Sequence, residues 1–354
     1  MNSKDLISNI EENIEFKFKK IQNLLSKRQI TNNKYLNDRL NPQIEADEDN
    51  SILNQALSDA ILNSMASLID YYCICCMLKI GAAEDKVTKI QYRSLSNSFL
   101  VKNSKLLKSE KSTATIKTLR DAFNARLSDL MDINSVDLRD YWSAFLSDAI
   151  THTLKEYGVS GVSDFHLEIG ESEGQLKIDP RVEKYIYYMQ PLFCNPMSSS
   201  GVKHGIYIDI NNFLKHNAVP YLSPQIDSFG EEWRIYSYFE IKSAQSVFLK
   251  DGILKDLVVS SFDEMKASLE AKYSKSDNFD LCQLEERWGL GNILRVDLAN
   301  GFISSNKEFL HFFIDNILIA KSENAVLVEA DSCLRDSISE LYRELRPKLK
   351  YNFD

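Results

Sequence analysis

The chain has 354 residues, enough for one large domain or two ordinary ones. Hydrophobic residues make up 44% and charged residues 26%, as in a globular protein with a sizeable core, while 12 Gly and 7 Pro argue against a turn-dense all-β chain. A net charge of −9 argues against a protein that coats nucleic acid through clustered Lys and Arg, although a local basic cleft remains compatible with it.

The first predicted element is an amphipathic helix over 3–28, capped by Ser3. Ile7, Ile10, Ile14, Ile21 and Leu25 form a stripe near heptad spacing. A polar, acidic segment over 31–50, with Pro42 and the run Glu45 to Asn50, predicts a linker or loop. That segment sets the first helix apart, so its stripe serves equally well for packing on its own domain or for a protein partner or second copy.

Residues 51–80 predict a central helix with little polar face. Cys73, Cys75 and Cys76 fall within it as small apolar side chains. The Cys73–Cys76 spacing has no second Cys or His pair to make a zinc site. The six Cys form no disulfide framework and no secretory signal is visible, which implies a reducing, cytoplasmic setting. Polar residues such as Asp70 and Lys79 interrupt the most apolar run, so no membrane association is expected. Further helices are predicted over 86–108, from 112 to about 131, and from about 135 to Leu154, with Gly158 as the C-terminal cap. Residues 51–160 thus read as a helical domain.

From Asp164 the period changes to two. A hairpin is expected over 164–179, with His166 and Glu168 on one face as solvated positions. Pro180 opens a short helix, Arg181 to Met189. Ile206 to Ile210 predicts an apolar strand carrying Asp209, and the Pro-containing stretch Ala218 to Ile226 predicts an edge or a loop. The densest strand signal is 233–242. A helix over 254–272, buried segments near 293–297, 309–320 and 325–329, and a helix from Asp331 to Leu345 complete an α/β domain over 161–345. Residues 346–354 read as a tail. The expected class is α+β: a helical N-terminal half followed by a mixed-sheet C-terminal half with flanking helices.

On strand 233–242, Trp233, Ile235, Ser237, Phe239 and Ile241 share one face, and Arg234, Tyr236, Tyr238, Glu240 and Lys242 share the other. A carboxylate and an ammonium two residues apart can do paired work. Glu240 can hold Mg²⁺ with a second acid, and Lys242 can orient a water or steady a phosphate oxygen. Asp209 is the first choice for the second acid, Asp227 the alternative, and Glu183 a further carboxylate. A surface salt-bridge face accounts for the same residues without chemistry.

Asp209 with Glu240-x-Lys242 resembles the PD-(D/E)xK nuclease superfamily over roughly residues 180–300. The resemblance implies metal binding by Asp209 and Glu240, water positioning by Lys242, Mg²⁺ as cofactor and nucleic acid as the substrate and partner, in restriction or phage defence. The chain departs from the family pattern: no Pro precedes Asp209, Asp209 lies on what would be the first strand, and two prolines fall between the sites. The alternative function is a non-enzymatic, oligomeric scaffold or interaction protein of a viral or defence system, built on the helix over 3–28.

Overall fold

The computed structural model describes residues 3–40, 48–96, 100, 147–164, 179–192, 205–215, 221–229, 232–249, 253–265, 309–314 and 317–351. The fold is α+β, as expected. Helices α1 (Ser3–Leu40), α2 (Glu48–Ile80), α3 (Pro180–Met189), α4 (Gly205–Lys215), α5 (Ile253–Val259) and α6 (Ser337–Lys350) accompany strands β1 (Tyr221–Phe229), β2 (Glu232–Lys242), β3 (Leu310–Ile314), β4 (Ile317–Lys321) and β5 (Ala325–Glu329). The sheet expected as mixed has only antiparallel pairings among the described strands, in the order β1-β2-β5-β4-β3.

The described contacts group into two compact units. One comprises residues 1–19, 67–203 and 340–354, and the other 20–66 and 204–339. These units do not follow the sequential boundaries expected at 30, 50, 160 and 345, because both long helices are divided between them.

In the first unit, Ile14 and Phe18 of α1, Leu68, Tyr72, Cys73 and Cys76 of α2, Tyr185 and Met189 of α3, and Leu341, Leu345 and Leu349 of α6 are buried. The hydroxyl of Tyr72 donates to the Tyr188 carbonyl at 2.6 Å, and that of Tyr185 donates to the Leu95 carbonyl at 3.1 Å. The phenols thereby bring their polar ends into the core with partners. Burial pushes the thiols of Cys73 and Cys76 well above their ordinary range, as inert core side chains require. The helix predicted to reach Leu154 is present over 147–156. Gly158 follows it at φ +76°, and Val159 N–H closes back on the Leu154 carbonyl at 2.9 Å.

Three expectations about helix ends are corrected. Helix α1 does not stop at 28 but runs to Leu40, and α2 starts at Glu48, so most of the predicted linker over 31–50 is helix. The polar residues that suggested a linker are in part buried: Thr31, Asn32 and Tyr35 lie inside the second unit. The supposed tail 346–354 begins as helix, since α6 continues to Lys350 and buries Leu349 through Pro347. Helix α2 is long and apolar enough to cross a membrane by length and composition, and 67% of its most apolar window is buried within the protein. The hairpin expected over 164–179, with His166 and Glu168, lies almost wholly outside the described residues, as do the segment at 293–297 and most of the helices expected over 86–131.

In the second unit β5 and β4 are buried along their whole length. Residues opposite one another in an antiparallel ladder share a face. Ile241, Val326 and Lys321 therefore lie on one face, and Glu240, Leu327, Ala320 and His311 on the other. Strand β1 is an edge, which suits its Pro224.

Candidate functional site

Strand β2 forms where the alternating pattern placed it. Phe239 and Ile241 are fully buried on one face, Glu240 is half-buried on the other, and Lys242 is exposed. The structure thus keeps Glu240 and Lys242 on a common face.

Asp209 is not on a strand. Ile206 to Ile210 belong to α4, where Ile206, Tyr207, Ile208 and Ile210 are all buried. A helix buried on nearly every side shows no periodicity, so its short apolar run looks like a strand in sequence. The Asp209 carboxylate accepts the Leu254 N–H at 3.3 Å, in the first turn of α5. At the other end of α5, the Lys321 ammonium donates to the Val258 carbonyl at 3.2 Å. An acid at the N-terminus and a base at the C-terminus complement the exposed peptide groups of this short helix.

Because Lys321 rises from the Ile241 face, α5 and the Asp209 carboxylate at its start lie on that side of the sheet. Glu240 and Lys242 face the other side. The Asp209 carboxylate is used at the start of α5, whereas Glu240 and Lys242 share a face of β2.

Asp227 stands opposite Arg234 in the register of the β1–β2 ladder, six residues along β2 from Glu240. At the rise of an extended strand this is roughly 20 Å. Glu183 is an exposed residue of α3, in the other compact unit. Among the described residues no three His, Cys, Asp or Glu side chains gather in a metal-binding group.

Sequence reasoning passed over Glu329, which does share the Glu240 face, one diagonal step away across the β2–β5 ladder. Its carboxylate oxygens accept the Asp331 N–H at 2.8 Å and the Ser332 N–H at 2.6 Å, capping the helical turns that follow β5. Burial, and then the nearby charge of Asp331, push its carboxyl up to about 6, against the pull of those N–H groups. Asp331 is paired with Arg28 of α1, whose Nε also donates to Ser58 of α2 at 2.8 Å. Beside this pair, Asn32 accepts from Asn54 and from Ser237, each at 2.8 Å. These groups tie α1 and α2 to the sheet, and only the approach of distant segments reveals them.

Apolar side chains are left exposed just beyond β2. The 3₁₀ turn Ser243–Phe248 packs against α5, and Val247, Phe248 and, at the end of α5, Val259 are 78%, 45% and 60% exposed. Residues 243–249 carry no charge. No family model, curated protein or solved structure matches this chain.

Proposed function

We propose that this chain is an interaction protein that docks a protein partner through the surface after β2, formed by Val247, Phe248 and Val259. The carrying observation is the exposure of these three large apolar side chains on two elements packed together. Val247 and Phe248 are neighbours in the chain; exposed apolar groups that cluster mark contact surfaces more often than single ones do, and interface cores are depleted of charge, as residues 243–249 are. Replacing Phe248 with a photocrosslinking phenylalanine in the native host tests it. A discrete adduct that disappears with Val247→Lys supports the proposal, whether the partner is a different protein or a second copy. Crosslinking no stronger than at an exposed polar control position such as Lys242 overturns it.

The competing function is nucleic-acid cleavage. It is favoured by Glu240 and Lys242 sharing a face of β2, with Glu329 diagonal to Glu240. Its test is plasmid and RNA cleavage by purified protein with Mg²⁺, which Lys242→Ala must abolish. Cleavage that survives the substitution, or its complete absence from the wild type, removes it.

A further inference from the structure

We draw no further inference here: the strongest candidate, the side-chain cluster of Arg28, Glu329, Asp331 and Cys333 where β5 runs into the following helix, is held by its own ion pair and backbone hydrogen bonds, and nothing in the structure points from it to a ligand.

Discussion

Arg28 and Asp331 form an ion pair whose two halves are unequally buried: the Arg28 side chain is 3% exposed and that of Asp331 43%. Removing the acid strands a cation away from water, whereas removing the cation leaves a carboxylate that water can still reach. Asp331→Ala should therefore cost about 2 kcal/mol, the loss typical of leaving one buried polar group unpaired. Arg28→Met should cost roughly half that or less, because it also deletes the buried Nη2, which has no hydrogen-bond partner. Urea unfolding of both variants measures the difference, and equal losses would contradict it. Glu329 gives a prediction in pH. Its carboxyl stands at about 6 in the fold against 4.5 when unperturbed, so the folded chain binds the proton more tightly than the unfolded one. That contribution to stability is whole below the unfolded value and is lost as pH rises through about 6. The shift corresponds to about 2 kcal/mol in full, of which about 1 kcal/mol falls between pH 5 and 7.5. Wild type should lose about that much more stability over this interval than Glu329→Gln; parallel curves would place the titration elsewhere.

Helix α5 is short, with seven residues, and depends on what holds its ends. If Asp209 serves it as a cap, Asp209→Ala should cost about 1 kcal/mol, while Asp209→Asn, which still offers an oxygen to Leu254 N–H, should cost only a few tenths. Lys321 is 1% exposed, and burial lowers its affinity for a proton. Its acceptor among the described residues is a backbone carbonyl, so Lys321→Met should leave stability unchanged or raise it. Thermal melts of the three variants decide this, and a large loss for Asn at 209 would mean the carboxylate has a further role. The same helices explain what the sequence could tell. Strand β2 was legible because its alternation has a clear period and its two faces meet different surroundings. The C-terminal cap at Gly158 was legible because a left-handed residue ends a helix locally. Helix α4 was not, because burial on nearly all sides erases the pattern. The end of α1 was not, because Thr31 and Asn32 are polar residues satisfied inside the protein, and their partners Asn54 and Ser237 lie far along the chain. For the candidate site, one strand could be placed from its own residues. Whether Asp209 would meet it depended on which face of the sheet α5 covers, and that is decided by long-range packing.

At the scale of the whole molecule, the question is where a partner would bind. The stripe of the first helix was the expected place; of its residues Ile14 and Ile21 are fully buried within the chain, and Ile7, Ile10 and Leu25 are half-buried. Val247, Phe248 and Val259 are exposed in elements that directly follow β2 or pack beside it, while Phe16 and Ile30 of α1 and Ile52 and Leu53 of α2 are exposed elsewhere. Being exposed, Val247 and Phe248 contribute little to folding, and replacing both with Lys should change stability by no more than about 0.5 kcal/mol. The same change puts two charges into the centre of a proposed apolar contact. It should weaken partner binding at least about thirtyfold, the loss expected from ~2 kcal/mol of hot-spot energy. Lys242→Ala, at the polar end of β2, should leave that binding unchanged while abolishing any Mg²⁺-dependent cleavage. The two variants thus separate the two functions. Loss of the partner in the double Lys variant alone supports docking, and loss of cleavage in Lys242→Ala alone supports the nuclease. Far-UV circular dichroism of both variants must match the wild type for the comparison to count. If the folded double Lys variant keeps its partner at wild-type affinity, the surface after β2 is not where this protein binds.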